Sequence, residues 1–194
     1  MPGSPPRVSR PPFYPPPLQM NTISYTSERD RAYGITGMAV TVVALENGAV
    51  LDSIDLDAAE PSECLRLAPH FEMRINPRMS AKVLWEQTLS DLSLTVSMAL
   101  GNLYCRRYVL DRRAPSPTET ETIRQALGLD AGSHLELDAD EIDALFAKCT
   151  AYAQRLFRHS GVVELSHSFA SRLLDRRRFT GTEAVELLAQ LGLR

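Results

Sequence analysis

His70, His134, His159 and His167 are the imidazoles this chain offers for metal binding or proton transfer. His159 and His167 stand eight residues apart, but Ser160-Gly161 breaks the chain between them, so nothing obliges them to share a face. Surface or interface positions are the commoner use of such residues. Ser166 and Ser168 flank His167. A Ser–His nucleophile needs the hydroxyl and its base to converge in space, and no G-x-S-x-G elbow accompanies this pair. Arg176, Arg177 and Arg178 form a basic triplet at a helix end. It could hold a phosphate or an acidic partner, and the commoner role is a cation complementing the helix dipole. Cys64, Cys105 and Cys149 are widely spaced with no C-x-x-C, which favours free, buried thiols over a disulfide framework or a metal knuckle.

Metal chemistry of another kind has a specific spacing requirement. Residues i and i+4 of a helix lie one above the other. Two histidines so placed can grip a zinc ion, and a glutamate after the first can act as general base on its bound water. The stretch Ala32-Tyr33-Gly34-Ile35-Thr36-Gly37-Met38-Ala39-Val40 resembles that zinc helix as it occurs in FtsH-type proteases, peptidase family M41, where it typically reads AYHEAGHAV. Ala32, Tyr33, Gly37, Ala39 and Val40 match. Gly34 stands in place of the first histidine, Ile35 in place of the glutamate, and Met38 in place of the second histidine. Glycine has no side chain to offer, isoleucine cannot accept a proton, and a thioether suits copper(I) better than zinc. The third zinc ligand of the family, an aspartate in a pattern like NDLxxAT, is answered by Thr122, ahead of Ile123 and Ala126.

The C-terminal part resembles the end of the same domain. Glu141-Ile142, Tyr152, Leu156, His159, Phe169-Ala170, Leu173-Leu174-Asp175, Phe179, Thr180-Gly181 and Glu183 answer its pattern, with no gap from Phe169 to Glu183. The resemblance implies a protease frame without protease chemistry: no catalytic residue, no metal ligand and no cofactor. Several tens of residues that the family carries before its last helices are mostly missing here.

The elements that must position these residues follow from periodicity. Ile35, Met38, Ala39 and Val42 sit at helical spacing, whereas Val40 to Val43 and Asn47-Gly48 suggest a hairpin. The family pattern favours a helix over Ser27–Glu46, with Gly48 taking the left-handed conformation at its stop, then a strand over Val50–Leu56. Another short strand is expected around Phe71–Ile75. Asn76-Pro77 opens a long helix to about Leu110, with Trp85, Leu89, Leu92, Val96, Ala99 and Leu103 inward and Gly101 at a close helix crossing. A short helix over Thr118–Leu127 ends at Gly128. Capping boxes at Asp138/Glu141 and Thr180/Glu183 start two further helices, with one over Val162–Arg176 between them. The fold class expected is α+β, mainly α: a helical bundle with one small β-sheet, resembling the M41 peptidase domain.

Residues 1–19 hold eight prolines and are expected to be a disordered tail or a stretch upstream of a true start at Met20, in preference to the functional reading of an SH3-type ligand. Residues 20–194 then form a single M41-peptidase-like domain. A net charge of −3 gives no electrostatic reason for nucleic acid. The apolar run Leu92–Cys105 is too short to span a membrane. No GxxxxGK[ST] loop occurs, so ATP-driven unfolding is not expected of this chain. A cytoplasmic location fits the free thiols.

The function expected is that of a catalytically inactive, standalone homologue of the zinc metallopeptidase domain. It would act through protein–protein contacts, with itself or with a partner not identified. Two alternatives stay open: a residual metallopeptidase with non-standard ligands, and an unrelated helical adaptor.

Overall fold

The computed structural model describes residues 23–68, 80–134 and 137–192. The proline-rich segment 1–19, the strand expected at Phe71–Ile75 and the helix start expected at Asn76-Pro77 lie outside the described residues. What is described is α+β and mainly α, with six α-helices and one three-stranded antiparallel sheet.

Ser27 opens the first helix, α1 (Glu28–Ala44), by accepting the Asp30 N–H at 3.1 Å. Every residue from Ala32 to Val42 is buried. A helix apolar on all sides belongs in a core, and that burial overrides the strand preference of Val40, Thr41 and Val42. The hairpin alternative therefore fails. The helix stop differs from expectation: Glu46, at φ 59°, takes the left-handed conformation, and Gly48 begins a short 3-10 turn instead.

Strand β1 (Leu51–Asp55) lies in the middle of the sheet, between β2 (Leu65–Leu67) and β3 (Arg178–Thr180). Ile54 pairs with Leu65 on one side and with Phe179 on the other, and all three are buried. The sequence reading held neither β2 nor β3. Strands of three residues are too short to display an alternating pattern.

Helix α2 (Ala81–Tyr104) starts on a Ser80 cap and widens into π turns over Cys105–Leu110, where the Asp111 N–H reaches back to Arg106 O at 3.0 Å. Its C-terminal half, from Leu94, is core, but Trp85 is 42 % exposed and is not part of the inward stripe expected of it. Helix α3 (Pro117–His134) runs straight through Gly128, because one interior glycine costs only about 1 kcal/mol and does not stop a helix by itself. Helix α4 (Ala139–Arg158) carries the Asp138/Glu141 capping box. Helix α5 (Ser160–Arg176) begins two residues earlier than expected because extended His159 serves as its N-cap. Helix α6 (Gly181–Gln190) carries the Thr180/Glu183 box. Helix α1 is the centre of the bundle, packed on α2, α5 and the π turns, with the sheet and α6 also against it. Among the described residues, no helix is long and apolar enough to cross a membrane.

Candidate functional site

Gly34 and Met38 lie one turn apart on α1, at the positions the resemblance assigns to zinc-binding histidines. Met38 is 1 % exposed and Ile35, at the glutamate position, is wholly buried. The space beside them is set by the crossing of α1 and α2, which is close at two glycines. A Cβ on Gly37 would fall 2.2 Å from Gly101 O, and one on Gly101 would fall 2.1 Å from Thr41 Oγ1. Thr41 Oγ1 in turn donates to Gly37 O at 2.7 Å. The two backbones touch, as the sequence reading expected of Gly101, and their approach fixes what faces Gly34.

What faces Gly34 is a closed polar network. A Cβ there would lie 2.7 Å from both Asn102 Nδ2 and Tyr25 Cε1. Asn102 Nδ2 donates to Tyr25 Oη at 2.9 Å. Arg106, one turn beyond Asn102, donates to Asp30 Oδ1 from Nε at 2.6 Å and to Asp30 Oδ2 from Nη2 at 2.5 Å. Its Nη2 also reaches Ser24 O at 3.0 Å, and its guanidinium lies 5.0 Å from the centre of the Tyr25 ring. The Thr26 N–H completes the Asp30 carboxylate at 3.0 Å. Both charges are almost fully buried, with side chains 8 % and 4 % exposed.

The electrostatics follow from that enclosure. Burial raises the Asp30 carboxyl, but hydrogen bonds from Arg106 and Thr26 outweigh it and hold the group below the usual carboxylate range. Burial pushes the Tyr25 phenol up to about 12, with Asn102 and the nearby cations opposing only part of the effect. The network is therefore an ion pair with neutral partners, each end satisfied from within. It offers no general base of intermediate pKa and no open coordination position.

The other chemistry-bearing residues are spread over separate places. Thr122 is exposed on α3, its hydroxyl donating to Thr118 O at 3.0 Å. His159 is exposed between α4 and α5. His167 is half-buried, its Nδ1 2.7 Å from Tyr33 Oη with the two rings edge to face. Burial and the Arg112 and Arg29 charges lower its pKa. Ser166 is buried beside Cys105, without a partner in hydrogen-bond geometry for its Oγ, and Ser168 is exposed. The two serines that flank His167 thus lie in opposite environments, one buried and one exposed. His70 lies outside the described residues, and the His134 side chain does too. Among the described residues, no three of His, Cys, Asp and Glu converge as a metal site would need.

The cysteines are buried thiols. Arg31 donates to Cys64 Sγ from Nη2 at 2.9 Å and to Ala58 O, yet burial raises the Cys64 pKa overall. The arginine triplet is engaged in ion pairs, with Arg176 in the last turn of α5. Arg176 pairs with Glu183, Arg177 with Glu28 and with Asp57 at 2.5 Å, and Arg178 with Asp55 at 3.0 Å. It ties α5 to β1, to α6 and to the start of α1.

Tyr25, Asp30, Asn102 and Arg106 escaped the sequence reading. One signal was present: Asn102 and Arg106 are an i, i+4 polar pair at the end of an otherwise apolar helix. Their partners lie more than seventy residues away, so only the fold could supply them.

No family model matches the chain, and no curated protein matches it.

Proposed function

We propose that the protein is a non-catalytic relative of the M41 peptidase domain that works by binding other protein surfaces. One observation carries this reading. The two ligand positions sit on one face of an internal helix, and the volume in front of the first is filled by Asn102 and Tyr25 rather than left for a metal. A satisfied buried network rigidifies a core, which supports a packing role for this helix face. The glycine crossing at Gly37, the strand after α1 and the Thr180/Glu183 box at the family's offset support the same descent.

The test is metal content with activity. Protein purified from zinc-supplemented medium and dialysed should carry far less than one zinc per chain, and its slow or absent casein cleavage should not respond to a chelator. One equivalent of zinc together with chelator-sensitive cleavage would replace this reading with that of a metallopeptidase using other ligands.

A further inference from the structure

The contact between Tyr33 and His167 gathers positive charge that nothing in the chain neutralises. Tyr33 Oη holds His167 at Nδ1, and the two rings meet edge to face. The other ring nitrogen, Nε2, has no partner among the described residues and is reached by solvent. The Arg29 guanidinium stands 5.9 Å from the centre of the Tyr33 ring. Arg112 follows the π turns, which pack on both α1 and α5. Burial, then the Arg112 and Arg29 charges, lower the His167 pKa, so both cations act on the ring and no carboxylate offsets them there. Tyr33 is buried and His167 half-buried, while the two arginines are exposed.

The carboxylates around them are used elsewhere. Asp111 and Glu119 are held by Arg107 and Arg113. Glu28 pairs with Arg177, and Asp30 with Arg106. Glu164, one turn before His167 on α5, is exposed and pairs with neither Arg29 nor Arg112. Arg112 also lies in the left-handed region, at φ 53°, where the Arg113 N–H closes the helix end on Arg107 O at 2.9 Å. Glycine is the residue that takes this position without strain. Arg177 adopts the same conformation, at φ 71°, and its guanidinium meets Glu28 and Asp57. Arg112 bears the same backbone cost, and among the described residues no anion offsets it.

We propose that Arg29, Arg112 and His167 Nε2 bind the phosphate group of a phosphate monoester, with Tyr33 fixing the imidazole. One guanidinium fork satisfies a carboxylate. Two forks and an imidazole N–H call for more acceptors and more charge. A phosphate monoester has three terminal oxygens and a charge of about −1.5 to −2 near neutral pH. With the Tyr33 phenol donating to Nδ1, the ring proton sits on Nε2, the nitrogen left free. The same contacts take a phosphate carried by a small molecule or by a partner's side chain. The proposal goes beyond the binding role above and does not depend on peptidase descent, so zinc in the purified protein bears on the descent alone.

Titration of the full chain with inorganic phosphate and with phenyl phosphate at constant ionic strength tests it, read by calorimetry and by the imidazole proton resonances. Both should bind saturably, one per chain, at millimolar concentration or below. Binding should move the His167 resonance and leave that of the exposed His159 in place. Acetate at the same concentration should do neither. Arg112→Gly is the most informative variant, because glycine suits the backbone there and the fold is kept. Phosphate affinity should still fall tenfold or more, with unchanged circular dichroism, and Arg29→Gln should act alike. Arg155→Gln, an exposed arginine on α4, should leave affinity unchanged. A phosphoserine peptide that binds more tightly than free phosphoserine assigns the monoester to a partner protein, and equal affinities assign it to a small molecule. Absence of saturable phosphate binding overturns the proposal. So does binding that survives both Arg112→Gly and Arg29→Gln, or that acetate matches.

Discussion

Arg106→Ala is expected to lower the free energy of unfolding by about 3–5 kcal/mol, the usual cost of stranding one member of a buried ion pair. The loss leaves the Asp30 carboxylate charged and enclosed, and it also frees Asn102 Oδ1, Ser24 O and the face of Tyr25. Arg106→Lys should recover only part of it, since an ammonium cannot make the two-point contact with Asp30. Lys82→Ala provides the contrast: it breaks a surface i, i+4 pair with Glu86 whose side chains are 83 % and 62 % exposed, and should change stability by no measurable amount. Urea denaturation reads all three. An Arg106→Ala variant as stable as the wild type would mean that water reaches the network, and the closed site described above would not exist.

The same network sets a pH window. Asp30 has a folded-state pKa below its ordinary value, so its contribution is present above that ordinary value and is lost as pH falls through the folded one. Tyr25 has a folded-state pKa raised from 10.0 to about 12, so its contribution is full below the ordinary value and is lost as pH rises toward 12. Stability should therefore be flat with respect to these two groups between about pH 4 and pH 10. Tyr25→Phe should remove the alkaline decline associated with this group and leave the acid one.

Gly37→Ala and Gly101→Ala are each expected to cost ~3 kcal/mol or more, at or above the upper end for overpacked cores. The added methyl at Gly37 meets the backbone oxygen of Gly101, and the one at Gly101 meets Gly37 O at 2.7 Å as well as the Thr41 hydroxyl. Backbone in the middle of two helices cannot step aside as a side chain can. Gly34→Ala should cost less, because its neighbours at 2.7 Å are side-chain atoms of Asn102 and Tyr25. Gly128→Ala should reverse the sign. It lies inside α3 with nothing within 4 Å of the added carbon, so the change should stabilise by about 0.5–1 kcal/mol through helix propensity. Thermal unfolding of the four variants would separate them. Equal effects at Gly37 and Gly128 would show that the helices do not touch at the crossing.

Much of the helical frame was legible along the chain because its signals are local. Asp138/Glu141 and Thr180/Glu183 announce helix starts within four residues, and the stripe Ile142, Cys149, Leu156 reports a buried face by period alone. The same locality explains the misses. Gly128 carries a stop signal that neighbouring residues outvote, and β2 and β3 are too short to have a period. Trp85 fits the inward stripe of α2 by spacing, yet among the described residues the bundle packs on that helix further along.

By itself, then, the sequence determined a mainly helical α+β fold class and the absence of histidine and glutamate from positions 34, 35 and 38, since side-chain identity needs no fold to be read, whereas the choice of helix over hairpin there came from the family pattern. Tertiary structure alone decided what occupies the space beside Gly34. Tyr25 and Asp30 meet Asn102 and Arg106 only because Gly37 and Gly101 let two helices, remote in sequence, come into backbone contact. Hydrogen bonds and ion pairs between distant segments leave no periodic trace in the chain, so the network beside Gly34 becomes visible only once the helices cross.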